Sequence, residues 1–457
     1  MAKRSSPARK QTGRKAKAPT RKASRAGAST ALALSRGEKA VSRGLPPWPV
    51  VDDAVVRAVT KVLKTQPLNA VTGGIQERFE KQFSKYHGRR YAVMTNGGTS
   101  ALQLALAACG IRAGDEVITT PYSWGASTGC ILLRNAIPVF ADIDTETLCL
   151  DPSKIEERIT GRTKAILVVH IYGMPADMPA IQKVARQHEL AVIEDCSQAA
   201  GAKCRGKLVG AWSDAGAFSL QASKNLVAGE GGIVVLNSRD AYERALLAGV
   251  HPVRMKAEIR NHELQRYIDS LGPNFRPHPL AAAMASSQLG RLAGWVREKN
   301  RSFAHLFRRV GHILEPHGAE YIRQHKGTVH GYHMASLKVV HPELREIPRR
   351  LIARALAAEG MPVGGYVGTP IPLRTRFADL RFHGRGCPWT CRHAKRLPDY
   401  AAGRWPVVEE ICREGEIILH GNHYVYDTKL MDQYAAAIEK LVANLGDLRT
   451  RAERADR

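Results

Sequence analysis

The feature that most constrains the fold of this 457-residue chain is an alternation of short apolar runs with helical patterns between residues 91 and 236. Parallel strands that are covered by helices on both faces have this almost continuous apolar character. Helix-like stretches, such as Ser100–Cys109 and Asp177–His188, lie between several of the runs. The alternation therefore predicts an α/β fold with a mostly parallel central sheet flanked by helices. The predicted strands are Tyr91–Met94, Val117–Thr119, Pro138–Ala141, Ala165–Ile171, Ala191–Glu194, Gly216–Ser219 and Ile233–Leu236.

The pattern changes after about residue 300. Residues 348–359 predict a helix that begins with a proline and stops at Gly360. A second helix is predicted over residues 429–445, where apolar residues recur at spacings of three and four. The Arg- and His-rich segment 374–404 has no clear period and predicts loops. We expect a large domain over residues 46–300, including an N-terminal arm, and a smaller C-terminal α+β domain over residues 301–457.

The first 45 residues differ in composition from the rest of the chain. They hold thirteen Lys or Arg and one acid, Glu38, so +12 of the net charge of +26 lies there. Such a segment buries too little apolar surface to offset the entropy of ordering, which predicts disorder. Three interpretations stay open: a solvated tail, an arm that binds polyanions by releasing their counterions, and a cleaved transit peptide.

Other features argue against a membrane protein and a metalloprotein. No apolar run reaches the length of about 18 residues that a membrane span needs, and the eight cysteines suggest no disulfide framework. We therefore expect a cytoplasmic protein with reduced thiols. Cys387, Cys391 and His393 lie close together, but their spacing is unusual for zinc and no second ligand pair follows, so no metal site is predicted.

Three segments carry candidate chemistry. Gly97 and Gly98 stand between a predicted strand and a predicted helix, where free amides and the helix dipole favour an anion, although an ordinary capped turn has the same pattern. Asp195 ends a predicted strand, where it could pair with a protonated ring nitrogen or simply cap a helix. Lys224 follows Ser219 by five residues in a segment with few charges. A desolvated lysine forms imines, but a lone lysine is more often a surface charge.

Together these segments resemble the DegT/DnrJ/StrS family of pyridoxal-phosphate (PLP) aminotransferases that act on sugars or cyclitols. The resemblance runs from about residue 68 to 292 and continues more weakly to about 445. The motifs that carry it are Asn-Gly-Gly-Thr-Ser-Ala-Leu (96–102), Pro-Tyr-Ser-Trp (121–124), Ile-Glu-Asp-Cys-Ser-Gln-Ala-Ala-Gly-Ala (193–202), Phe-Ser-Leu-Gln-Ala-Ser-Lys-Asn-Leu (218–226), Gly-Glu-Gly-Gly (229–232) and Gly-Pro-Asn-Phe-Arg (272–276).

The resemblance implies a PLP-dependent transferase of fold type I, a homodimer and a role for each matching residue. Lys224 matches the lysine that holds PLP as a Schiff base and moves the substrate proton. Asp195 would pair with the pyridine nitrogen, and Gln198 with the phenolic oxygen of the cofactor. Trp124 would stack on the ring. The phosphate would be held by Gly98, Thr99 and Ser219, with Asn274 reaching the phosphate of the partner's cofactor.

The implied reaction moves an amino group from glutamate or glutamine to a keto-sugar, a nucleotide-linked keto-sugar or a keto-cyclitol. Related dehydratases carry histidine in place of the cofactor lysine, so Lys224 favours transfer. A non-catalytic polyanion-binding protein is the remaining alternative. Two departures affect the substrate loop and packing: Leu220 replaces the usual Phe, and Pro277 replaces the usual Met.

Overall fold

The computed structural model describes residues 31–68, 72–269, 271–314, 319–321, 326–339, 346–394 and 398–455. Most of the basic tail, residues 1–30, lies outside the described residues. The prediction that these residues are disordered therefore stays a prediction. No helix among the described residues combines the length and the apolar character needed to cross a membrane.

A seven-stranded sheet forms the centre of the large domain. Its strands are β1 (Tyr91–Thr95), β2 (Glu116–Thr119), β3 (Ile137–Phe140), β4 (Thr163–Val169), β5 (Ala191–Asp195), β8 (Ala215–Ser219) and β9 (Gly232–Leu236). Their order is β1-β9-β8-β5-β4-β2-β3. The pairs from β8 to β3 are parallel, and β9 runs antiparallel to both of its neighbours. The mostly parallel sheet and all seven predicted strands are thereby confirmed.

Helices cover both faces of the sheet, as the continuous apolar strands require. Val93 packs on one face with helices α3 (Gly98–Ala108), α4 (Ala126–Leu133) and α6 (Arg239–Gly249). Its neighbours Ala92 and Met94 pack on the other face with α2 (Gly74–Tyr86) and α9 (Pro279–Gln288). The helices of this part of the chain are α1 (Asp53–Thr65), α2 (Gly74–Tyr86), α3 (Gly98–Ala108), α4 (Ala126–Leu133), α5 (Met178–Gln187), α6 (Arg239–Gly249), α7 (Pro252–Glu258), α8 (His262–Gln265), α9 (Pro279–Gln288) and α10 (Leu292–Leu314).

The C-terminal part has a four-stranded antiparallel sheet in the order β10-β12-β14-β13, with strands Ala319–Tyr321, Ala335–Val339, Glu416–Leu419 and Val363–Gly364. Its helices are Arg349–Ala358, Thr375–Ala378, Pro406–Glu414, Thr428–Ala443 and Leu445–Ala455. The two predicted helices are present, with Pro348 as the N-cap residue rather than the first helical one. A small third sheet joins β11 (Thr328–Val329) to β6 (Lys203–Cys204) and β7 (Lys207–Leu208).

Two structural features differ from the sequence prediction. Strand β4 ends at Val169 and not at Ile171, because residues 171–173 form a tight turn in which Tyr172 adopts a positive φ of 56°. The predicted disorder of the tail up to residue 45 is wrong for residues 31–45. Leu32 and Val41 are buried against the C-terminal domain, and the apolar surface that they remove from water helps to anchor this short segment.

Segment 366–412 also departs from a simple two-domain division. Trp389 and Trp405, at 2% and 1% exposure, pack in the same core cluster as Ile118 and Phe140 of the large domain. The Trp405 indole N–H donates to the carbonyl of Phe140 at 3.0 Å. The described residues of the segment predicted as loops, 374–394 and 398–404, are mostly irregular apart from the short helix Thr375–Ala378. Aromatic side chains attach them to the large domain.

Candidate active site

Two of the predicted phosphate-binding residues, Gly98 and Ser219, meet at the edge where β1 and β8 end. Gly98 begins α3, and no side chain caps the first turn of that helix. A Cβ atom on Gly98 would lie 2.7 Å from Cβ of Ser219, so only glycine permits this close approach. The uncapped amides of the helix and the Ser219 hydroxyl together form a cradle suited to a phosphate.

Asp195 ends β5 and is buried, with 3% of its surface exposed. Its Oδ2 accepts a hydrogen bond from the Ser127 hydroxyl at 2.7 Å, and its Oδ1 accepts one from the backbone N–H of Ser197 at 3.0 Å. The Ser127 hydroxyl also contacts that of Ser123, at 2.8 Å. These contacts set the orientation of the carboxylate at the carboxyl end of the strand, where ligands bind in α/β sheets.

Gln198 lies three residues after Asp195, and both the oxygen and the nitrogen of its side-chain amide are hydrogen-bonded. Its Oε1 accepts a hydrogen bond from the Tyr172 N–H at 2.7 Å, and its Nε2 donates to the Tyr366 hydroxyl at 3.0 Å. Burial raises the pKa of Tyr366 to about 12. The second Nε2 proton of Gln198 can still bind a ligand oxygen. Tyr366 was not predicted, because it lies in an irregular segment far from the other site residues in the sequence.

Lys224 is half-buried, and its Nζ lies 3.3 Å from Nε2 of His333. Burial lowers the pKa of the Lys224 amine, and the charge of Asp195 partly opposes that shift. Burial also moves the pKa of His333 well below its ordinary value. An amine with a lowered pKa beside a neutral imidazole is suited to imine formation. Sequence reasoning missed His333, whose local motif Gly-Tyr-His carries no distinctive chemistry.

Two predicted residues are exposed in the single chain. Trp124 precedes α4 and is 70% exposed, so its ring is open to a stacking partner. Asn274 is also exposed, and its Oδ1 accepts a hydrogen bond from the N–H of Arg276 at 3.1 Å. The adjacent Phe275 carbonyl accepts one from Asn96. The structure thus brings together Gly98 and Ser219. The charge of Asp195 raises the pKa of Lys224 against the larger effect of burial, and Trp124 and Asn274 are exposed.

A buried cluster of potential metal ligands, His170, Glu194 and Cys196, lies behind the site. His170 Nδ1 accepts a hydrogen bond from the N–H of Ala176 at 3.1 Å, so its Nε2 carries the proton toward Glu194 at 3.1 Å. Glu194 accepts further hydrogen bonds from Gly210, Trp212 and Ser213. Because their polar atoms are already hydrogen-bonded within the protein, we interpret His170 and Glu194 as structural residues beside β5 and not as metal ligands.

Comparison with known proteins identifies the family. The model of the DegT/DnrJ/EryC1/StrS aminotransferase family matches residues 49–398. The chain belongs to this family. It is therefore a PLP-dependent aminotransferase, and the cofactor implied by the resemblance is the one the family uses.

Several known proteins are similar to this chain over most of their length. The chain is 34% identical to the L-glutamine:2-deoxy-scyllo-inosose aminotransferase of Streptomyces fradiae, over 92% of this chain and 99% of that protein. It is 35% identical to the GDP-perosamine synthase of Escherichia coli O157:H7, over 62% of this chain and 75% of that protein. A solved structure of an aminotransferase from Psychrobacter cryohalolentis superposes with a TM-score of 0.74 at 26% identity, covering 88% of this chain and all of that one.

The described residues fit PLP. The cradle at Gly98 and Ser219 suits its phosphate, since a Cβ would fill the space between them. The buried carboxylate of Asp195 suits a protonated ring nitrogen, and the half-buried Lys224 suits an aldehyde. These are three different chemical requirements of one cofactor, and they are met along one edge of one sheet.

Proposed function

We propose that this aminotransferase moves the amino group of glutamine to the ketone of a cyclitol, with Lys224 as the lysine that links to PLP. The observation that supports the lysine assignment is its half-buried amine with a lowered pKa, 3.3 Å from His333. The substrate assignment is supported by the names of relatives. The full-length relative from Streptomyces fradiae is named for glutamine and 2-deoxy-scyllo-inosose, and one from Streptomyces griseus, 39% identical over 62% of this chain and 69% of that protein, for glutamine and scyllo-inosose.

The roles of the residues follow from their positions. When bound, PLP supplies an electron sink that stabilises negative charge on the carbon bearing the amine. The Lys224 amine, whose pKa is lowered by burial, would accept the proton from that carbon and return it to the acceptor side. Asp195, held by Ser127 and Ser197, would keep the ring nitrogen protonated. Gln198 would offer its remaining amide proton to the phenolic oxygen, and Thr99 would add a hydroxyl to the phosphate cradle.

We further propose that the active form is a homodimer, in which Asn274 of one copy reaches the cofactor phosphate of the other and Trp124 stacks on the cofactor ring. The exposure of both side chains in the single chain supports this arrangement. A cytoplasmic location is proposed because all eight cysteines are unpaired, five of them buried.

An absorbance experiment tests the lysine assignment. Purified protein given PLP should absorb in the visible at roughly 410–430 nm, because an imine of Lys224 is conjugated with the ring. Borohydride should trap the cofactor on Lys224, and peptide mapping should locate it there. Lys224→Ala should lose both the trapping and the transfer activity, whereas Lys207→Ala, at an exposed lysine of β7, should retain both. Trapping on a different lysine would refute the assignment.

The substrate assignment needs a separate measurement. Glutamine should bleach the visible band, and 2-deoxy-scyllo-inosose or scyllo-inosose should restore it in a second half-reaction. The alternative acceptor is a nucleotide-linked keto-sugar, which the similarity to GDP-perosamine synthase keeps open. Restoration by a nucleotide-linked 4-keto sugar but by neither inosose would favour that alternative. Release of water from the sugar without amine transfer would favour a dehydratase.

A further inference from the structure

Helix α10 carries a lysine that is completely buried. Lys299 has no exposed surface, and a buried ammonium is costly unless its protons are bonded. Its Nζ donates to Asn225 Oδ1 at 2.7 Å, to the carbonyl of Tyr332 at 3.2 Å and to Asn422 Oδ1. The ring of Trp48 also faces the ammonium, with its centroid 5.6 Å away. Every proton of the ammonium therefore has an acceptor.

The surrounding amides are oriented so that their oxygens face Lys299. Asn225 Nδ2 donates to the carbonyls of Gly331 at 2.7 Å and Ala200 at 3.3 Å. Asn422 Nδ2 donates to the carbonyl of Ser223 at 3.3 Å. A neutral amine has two N–H donors and one lone pair, so three facing oxygens match the ammonium and not the amine. Burial lowers the pKa of Lys299 to about 7, and the three acceptors favour the charged form.

The partners of Lys299 flank the proposed cofactor lysine and its neighbour. Asn225 follows Lys224 in the chain, and Tyr332 precedes His333. Asn422 is bonded to the carbonyl of Ser223, the residue before Lys224. One buried cation thus ties the segment of Lys224 to the segment of His333 and to Asn422, and the first two segments bring Lys224 Nζ within 3.3 Å of His333 Nε2.

The positive charge also acts on nearby histidines. Besides burial, the charges that lower the pKa of His333 are those of Lys224, Lys299 and His420. Burial, with a smaller contribution from the charge of Lys299, lowers the pKa values of His330 and His423, each to about 3. Removal of the charge should therefore make His333 easier to protonate, and a charged imidazole beside Lys224 would repel its protonated form.

We propose that Lys299 is a positioning residue of the transamination site, whose buried ammonium holds Lys224 and His333 at contact distance. This inference depends on the assignment of Lys224 proposed above. Lys299 acts through its partners, and its effect should appear in the rate and its pH dependence rather than in glutamine binding.

The test uses the full-length enzyme with PLP and four variants: Lys299→Met, Lys299→Gln, Lys299→Arg, and Arg308→Met as the control. Arg308 lies exposed on the same helix. For Lys299→Met we expect kcat to fall roughly 10- to 100-fold, because misplacement of reacting groups has effects of this size, while KM for glutamine stays within about twofold. Lys299→Gln, which keeps a donor and loses the charge, serves if the Met variant does not fold.

Two further readouts separate positioning from a purely structural effect. The acid limb of kcat/KM should move to higher pH by about one unit in the uncharged variants, because His333 loses a neighbouring cation. The pH titration of the visible band should shift as well, and Lys299→Arg should recover part of both. Rates and pH profiles equal to those of Arg308→Met would overturn the proposal. A Lys224→Ala protein that still traps cofactor would instead overturn the proposed function, without reference to Lys299.

Discussion

At the scale of single residues, the close approach of Gly98 to Ser219 determines which substitutions the proposed phosphate cradle can accept. Gly98 and Gly97 are adjacent, yet a Cβ on Gly98 would meet Ser219 at 2.7 Å, while one on Gly97 would have nothing within 4 Å. Both have φ values that other residues can adopt. The difference between the two positions is therefore one of space and not of backbone strain.

This difference gives a matched pair of variants. Gly98→Ala should destabilise the cofactor-free protein by about 1–3 kcal/mol, the usual cost of overpacking a tight contact. Gly97→Ala should leave its stability unchanged within about 0.5 kcal/mol. Urea unfolding of both apoproteins measures the effect. Equal stabilities would mean that α3 shifts to accommodate the methyl group at no cost.

The sequence indicates candidate site residues where a motif combines several chemical types in order, and the roles of these residues stay predictions. Asp195 and the glycine turn lie at strand ends that apolar periodicity already predicts, and Lys224 follows the end of β8 by five residues. His333, Tyr366 and Lys299 were missed because each reaches the site from a distant segment. A lone buried lysine such as Lys299 looks in the sequence like a surface charge. Only the three-dimensional positions of its three acceptors distinguish it from a surface lysine.

At the scale of elements, the N-terminal segment 31–45 behaves as part of the C-terminal domain. The buried carboxylate of Glu359 accepts hydrogen bonds from the backbone N–H groups of Ala33 at 2.7 Å and Ala40 at 3.0 Å. Lys440 contacts the same carboxylate at 3.1 Å. Leu32, with no exposed surface, completes the attachment. The composition of residues 1–45 conceals this, because the many charges outweigh two anchoring apolar residues.

Leu32→Ala should therefore lower the free energy of unfolding by about 2–4 kcal/mol, as for other buried leucines. Leu45→Ala, at a position that is 37% exposed, should cost under about 1 kcal/mol. Chemical denaturation monitored by tryptophan fluorescence can compare the two. A comparison of truncations sharpens the result: removal of residues 1–30 should keep the stability, and removal of residues 1–45 should reduce it.

At the scale of the whole molecule, neutral buried histidines should make stability sensitive to acid. Burial lowers the pKa of His87 to about 4, below the value of roughly 6.5 expected when unfolded. Between these values the unfolded chain binds the proton and the folded chain does not, so stability falls as the pH drops from about 6.5 to 4. The loss attributable to His87 reaches about 3 kcal/mol at pH 4.

His87→Gln tests this directly, because glutamine can still donate to the Phe83 carbonyl that lies 3.0 Å from His87 Nδ1. Denaturation measured from pH 7 to pH 4 should show a shallower loss of stability in this variant than in the wild type. His262→Gln, at an exposed histidine, should follow the wild type. Parallel curves for all three proteins would show that His87 does not contribute.

At this scale too, the sequence could not show how the chain divides into domains. Periodicity predicts the sheet because each strand carries its own apolar pattern. It cannot show that segment 366–412 returns to pack on the large domain, since that contact depends on scattered aromatic residues without a period. Helix α10 likewise runs through the predicted boundary at residue 300 without interruption.

The strand order has a consequence for how the protein matures during synthesis. Strand β1 does not pair with the next strand to be made; its partner is β9, near the end of the sheet-forming region. The carbonyl of Gly97 comes close to Gly232, and Gly98 comes close to Ser219, so the cradle depends on a long loop closure that an incomplete nascent chain cannot make. We expect that partially translated chains do not bind this form of vitamin B6, and that the cofactor binds only after β9 has been made and has paired with β1.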